Sequence, residues 1–117
     1  MNLTLKNGSK KVLISEVKKV SRFGKGFGLM FHRREKARSL LFEFRRPVDF
    51  HLTSLFVFFP FVVIWMDENE KVLDVKIVKP WKLTVLSTVK RYSKILEIPM
   101  NKFYSSQVKN IVDKRFK

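Results

Sequence analysis

Residues able to do acid–base or nucleophilic work are few in this chain. Asp49 and His51 stand two apart, so an extended segment puts both on one face, where a carboxylate can orient an imidazole. One carboxylate and one imidazole do not make a metal site, and the other histidine, His32, lies well back along the chain. A structural hydrogen bond is the expected role of the pair. Hydroxyls such as Ser54 have no base beside them in a nucleophile pattern. Asp67 and Asp74 flank a segment that reads as a hairpin, which predicts solvated carboxylates rather than a catalytic pair. There is no Cys, which removes disulfides, thiolate metal sites and Cys nucleophiles together. Nothing here implies a cofactor, and no residue is assigned a catalytic role.

Glycines and basic residues offer a different chemistry. Lys25-Gly26-Phe27-Gly28-Leu29-Met30-Phe31 opens like the aromatic RNA-recognition signature, but Leu29 stands where that signature has an aromatic residue. The segment before it reads as a hairpin rather than as a strand and helix. Gly24, Gly26 and Gly28 also have a G-x-G-x-G spacing, without the βαβ unit that a nucleotide fingerprint requires. What remains is a glycine turn flanked by Arg22 and Lys25, able to present backbone N–H groups to an anion. Arg33, Arg34, Lys36, Arg38, Arg45 and Arg46 follow closely, interleaved with Phe31 and Phe44. Arginine suits phosphate because its planar fork matches two oxygens at once. Each Phe taken singly reads as core, whereas the arginines as a group read as an anion-binding cluster.

The totals agree with that emphasis. The 117 residues carry 25 Lys and Arg against 10 Asp and Glu, a formal net charge of +15. Residues 1–47 hold thirteen cations and three anions, and residues 76–117 hold eleven and two, so the positive field comes from both flanks. Between them the chain is mildly acidic and very apolar. Glu does not rise along with Lys, as an ion-pair network of the hot-organism type would require. Excess charge of this kind bears on partners and solubility rather than on fold. The longest apolar run, Leu55 to Met66, is interrupted by Pro60 and is far short of the roughly 20 residues that a membrane-spanning helix needs. Met1 to Lys19 has no apolar stretch resembling a signal peptide. A soluble cytoplasmic protein is the expectation.

Short extended segments set off by turn residues dominate the chain. Leu3 and Leu5 lead into Asn7-Gly8, a strong hairpin signal, and Val12 to Val17 resumes an extended run. Leu40, Phe42 and Phe44 alternate with Leu41 and Glu43, a strand expected to end before Pro47. Leu52 to Phe58 reads as a strand, and Phe61 to Met66, apolar on both faces, as one central in a sheet. After a polar loop, Asp67 to Glu70, residues Leu73, Val75 and Ile77 are expected on one face, with Asp74 and Lys76 on the other. Leu83 to Leu86 and Ile95 to Ile98 read as further strands. Only Ser105 to Asp113 has helical spacing, through Val108, Ile111 and Val112. The pattern predicts a mainly β, compact, single-domain β-sandwich or small barrel spanning residues 1–117, with at most one short C-terminal helix.

From about Val12 onward the chain resembles an uncharacterised family, domain of unknown function 192. The landmarks are Gly28-Leu29-Met30-Phe31, Leu40-Leu41-Phe42-Glu43-Phe44, Phe58-Phe59-Pro60 with Asp67 seven residues on, Val78-Lys79-Pro80-Trp81, and Ile95-Leu96-Glu97-Ile98-Pro99. The resemblance implies a compact, mainly β sandwich-like domain and no particular activity. Val62 stands where the family usually has an Asp, and Val112-Asp113 where it has a Gly-Asp turn.

The expectation is a non-enzymatic domain whose basic residues Arg22, Lys25, Arg33, Arg34, Lys36, Arg38, Arg45 and Arg46 meet a polyanion, RNA foremost. The alternatives are a small-ligand pocket near His51 and Trp81, with incidental charge, and a hydrolase-like enzyme with dispersed residues.

Overall fold

The computed structural model describes residues 1–20, 33–48, 59–80 and 91–116, and among these it has seven strands and one helix. Strands β1 (Leu3–Asn7) and β2 (Lys10–Ile14) form a two-stranded antiparallel ribbon. Asn7 pairs with Lys10, so the two loop residues are Gly8-Ser9, one position later than the Asn7-Gly8 expected from sequence. Gly8 takes φ +65°, which a residue without a Cβ adopts at little steric cost.

The extended run predicted from Val12 to Val17 is divided. Glu16 has φ 52°, and the chain there leaves the ribbon and enters a second sheet as β3 (Val17–Lys19). That sheet adds β4 (Ser39–Val48), β5 (Phe61–Met66), β6 (Val72–Val78) and β7 (Tyr92–Pro99), in the order β3-β4-β7-β5-β6. Only the β3–β4 pairing is parallel. The order is open, so among the described residues there is no closed barrel. The fold is mainly β with one short helix, α1 (Ser105–Phe116). The predicted strands at 52–58 and 83–86 lie outside the described residues.

β5 is an interior strand with every residue buried, hydrogen-bonded to β7 on one side and β6 on the other. Its alternation divides the core in two. Val62, Ile64 and Met66 face a cluster with Leu3, Leu5, Val12 and Ile14 of the ribbon and Val108 and Ile111 of α1. Phe61, Val63 and Trp65 face a second cluster with Leu40, Phe42, Tyr92 and Ile95. A sheet buried on both faces needs strands apolar on both faces, which explains why β5 and β7 read as nearly continuous hydrophobic runs.

Two strand expectations need correction. β4 does not end before Pro47. Its pairing with β7 shifts register between Glu43 and Val48, and Pro47 lies in that irregular stretch. Described β3 residues pair β4 only as far as Leu41, so Pro47, which lacks an N–H, interrupts no ladder there. In β6 a bulge puts Asp74 opposite Trp65 and Val72 opposite Met66, leaving Leu73 extra. One inserted residue reverses the alternation. Leu73 therefore packs against the second cluster while Val75 belongs to the first, and Ile77 is 37% exposed.

Candidate nucleic-acid interface

Arg33 to Arg38 form a tight turn ahead of β4. The amide of Ala37 donates to the carbonyl of Arg33 at 2.8 Å, and that of Lys36 to the same oxygen at 3.2 Å. A turn this short leaves its remaining carbonyls facing outward and needs an external partner for them. Asn101 supplies it from just beyond the end of β7. Its Nδ2 donates to the carbonyls of Arg34 at 2.7 Å and Ala37 at 2.9 Å. Its Oδ1 accepts the N–H of Tyr104 at 3.1 Å, which satisfies a donor ahead of α1. Asn101 is 5% exposed, so this amide works away from water, where losing a partner is costly.

Further contacts fasten the same two segments. Arg34 Nε donates to the carbonyl of Met100 at 2.7 Å, and Glu35 Oε1 accepts the N–H of Lys102 at 3.0 Å. One guanidinium nitrogen of Arg38 donates to the carbonyls of Glu35 and Ala37, at 3.1 and 3.0 Å. The same guanidinium lies over the ring of Phe103, 4.1 Å from its centroid. Stacking of this kind adds cation–π attraction to the packing of the ring.

The result is a corner holding Arg33, Arg34, Lys36, Arg38 and Lys102 around the half-exposed Phe103. Arg33, Arg34, Lys36 and Lys102 are exposed. The single acid among them, Glu35, directs a carboxylate oxygen at a backbone N–H. No ion pair involves Arg33 or Lys36 among the described residues.

Four of the eight basic residues singled out from sequence thus come together. Arg45 and Arg46 lie on β4 and their side chains are outside the description, as are Arg22 and Lys25 altogether. His51 and Trp81 of the alternative pocket, the Asp49/His51 pair, Ser54 and the glycine turn also lie outside the described residues. Lys102, Phe103 and Asn101 were missed, because sixty-odd residues separate them from the turn. Asn101 directly after Pro99-Met100 was the available signal, a turn-forming residue ahead of a helical pattern.

Elsewhere the acids behave differently from expectation. Asp74 is 6% exposed rather than solvated, because the β6 bulge sets it opposite Trp65. Its Oδ1 accepts the N–H of Val75 at 2.9 Å. Glu97 is also buried, between Leu40 and Val63 on its neighbouring strands. Asp67 follows expectation as a loop residue, its Oδ1 accepting the N–H groups of Asn69 and Lys71. At the opposite end of β7 from the basic corner, a cleft of about 220 Å³ is lined by Asp67, Glu68, Leu73, Arg91, Tyr92 and Ser93. That is below the roughly 300 Å³ at which small-molecule pockets begin. Among the described residues no group of three His, Asp or Glu could hold a metal ion, and no helix is long and apolar enough to cross a membrane.

Comparison with known proteins adds kinship and fold. No curated protein matches the chain. A protein of unknown function from Novosphingobium aromaticivorans DSM 12444 superimposes with a TM-score of 0.67 at 16% identity, over 92% of this chain and 77% of that one. A protein from Sinorhizobium meliloti 1021, described as a candidate transcription regulator, gives 0.69 at 16% identity, over 93% and 83%. At such identities the likeness is one of fold. The landmarks noted in the sequence now have a physical meaning, since Leu40, Leu41, Phe42, Ile95, Leu96 and Ile98 are buried on the adjacent strands β4 and β7. The model of DUF192 (Uncharacterized ACR, COG1430) matches residues 5–111, and this chain belongs to that family.

Proposed function

We propose that this chain is a non-enzymatic binding domain whose Arg33–Arg38 corner meets a polyanion, structured RNA foremost. The observation carrying this reading is the fastening of that turn to Met100–Tyr104. It gathers five cations on one rigid corner and leaves Arg33 and Lys36 directed at no acid among the described residues. Arg34 and Arg38, tied by hydrogen bonds to backbone carbonyls, lose little side-chain freedom on meeting phosphate, and a protein of net charge +15 attracts polyanions from a distance.

Titration with a structured RNA at several salt concentrations tests the reading. Each phosphate contact contributes about −0.7 to −0.9 to the slope of log K against log salt, so about four contacts give a slope near −3. Neutralising Arg33 and Lys36 together reduces that slope by about 1–2 and weakens binding to every sequence alike. Absence of binding at about 50 mM salt would overturn the proposal.

A further inference from the structure

Phe103 is 40% exposed although both its neighbours in the site, Asn101 and Tyr104, are buried. Its ring is nonetheless held on two sides. Tyr104 meets it edge-to-face, with centroids 4.8 Å apart and planes at 79°. Arg38 lies over it, and Arg38 is itself tied by two hydrogen bonds to backbone carbonyls. The solvent therefore meets an aromatic ring packed against a guanidinium that two hydrogen bonds anchor. Four more cations, Arg33, Arg34, Lys36 and Lys102, belong to the same two turns.

We propose that this stack receives an unpaired nucleobase, so that the ligand class of the corner is single-stranded or looped nucleic acid rather than uninterrupted duplex. This rests on the polyanion reading above and specifies it. Bases within a duplex have both faces covered by their neighbours, and only an unpaired base can offer one to a protein ring or guanidinium. Every base has such a face, so the site discriminates strand state more than sequence. The surrounding cations supply phosphate contacts to either side of the stacked base, while the Phe103–Arg38 stack supplies what a duplex cannot use.

The test uses the whole chain and two probes, a single-stranded oligonucleotide of about 12 nucleotides with a central 2-aminopurine, and a blunt duplex of the same length. Stacking quenches 2-aminopurine fluorescence, whereas the salt slope reports phosphate contacts. The expected results are quenching on binding and about tenfold tighter binding of the single strand than of the duplex at matched salt. Phe103→Leu keeps apolar bulk but no π-face. It should remain folded with a somewhat lower melting temperature, weaken single-strand binding about tenfold, lose the quenching and keep the salt slope. If Phe103→Leu does not fold, quenching and strand preference in the wild-type chain still decide. Equal affinity for both probes, or equal quenching by wild type and Phe103→Leu, with the salt slope intact, would overturn the base subsite and leave the polyanion reading standing. No salt-dependent binding of either probe would overturn both.

Discussion

The hydroxyl of Tyr104 accepts the backbone N–H of Ser39 at 2.8 Å, tying the residue ahead of α1 to the first residue of β4. The same hydroxyl lies 2.9 Å from the carbonyls of Ser15 and Glu16, where the chain passes from the ribbon to the large sheet. One phenol thus joins the ribbon, the sheet and the helix. Gln107 reinforces the junction by exchanging hydrogen bonds with Ser15, accepting its N–H and donating to its Oγ, both at 2.8 Å.

Removing that hydroxyl leaves a buried amide without its acceptor. Tyr104→Phe keeps the ring and its packing, so the expected loss is that of an unsatisfied buried group, about 1–3 kcal/mol. Urea denaturation measures it, and an unchanged midpoint would show that the junction is held by packing alone.

Trp65 is 1% exposed and meets Tyr92 edge-to-face at 6.4 Å. Trp65→Ala is expected to cost about 3–5 kcal/mol by chemical denaturation. Amides of Phe61–Met66 are likewise expected to exchange far more slowly than those of the Asp67 to Glu70 loop, since β5 is bonded on both edges.

Asn101→Ala removes the side-chain hydrogen bonds to the carbonyls of Arg34 and Ala37 while changing no cation. It is expected to lower stability by about 2 kcal/mol. Where the variant remains folded, affinity for a structured RNA should also fall, with a smaller salt slope. Neutralising Lys114 and Arg115 in α1 is the charge-matched control for the Arg33 and Lys36 double change and should alter the slope less than that change does.

Lys94 bridges Glu70 at 2.8 Å and Glu43 at 3.3 Å, and Lys19 reaches Glu43 at 2.7 Å. The hydrogen bond from Lys19 is the chief influence holding Glu43 below its usual value of 4.5. Partial burial opposes it, and Lys94 adds to it through charge and hydrogen bonding. For Lys94, burial pulls downward, but the hydrogen bonds and charges of Glu70 and Glu43 outweigh it and raise the group above 10.5. A lowered carboxylate stabilises above its unfolded value and loses that contribution as pH falls through the folded one. A raised lysine stabilises below its unfolded value and loses that contribution as pH rises through the folded one. The stability gap between wild type and Lys94→Met is therefore expected to be widest near neutrality and to narrow below about pH 4.5. A gap independent of pH in urea melts would assign the effect to packing of the lysine stem.

Periodicity alone was enough to reveal the strands with the strongest patterns. Phe61–Met66 is apolar on both faces because both faces are buried, and Ser105 onward has helical spacing because Val108 and Ile111 must reach one side. Part of the family landmarks were legible for a related reason, since Leu40, Leu41, Phe42, Ile95, Leu96 and Ile98 are core residues of the adjacent strands β4 and β7. Local signals also carried the basic character of Arg33 to Arg38, because charge is additive and independent of fold.

Tertiary structure decided the rest. Whether Leu73 or Val75 faces a given core depends on one bulge, set by how β6 fits β5 rather than by either residue type. Glu16 sends a continuous apolar run into two sheets, which only the packing of both sheets can require. The candidate interface is of the same kind. Arg38 and Phe103 stack because Asn101 and Tyr104 draw the end of β7 onto the turn before β4, and contacts between such distant segments leave no period in the sequence.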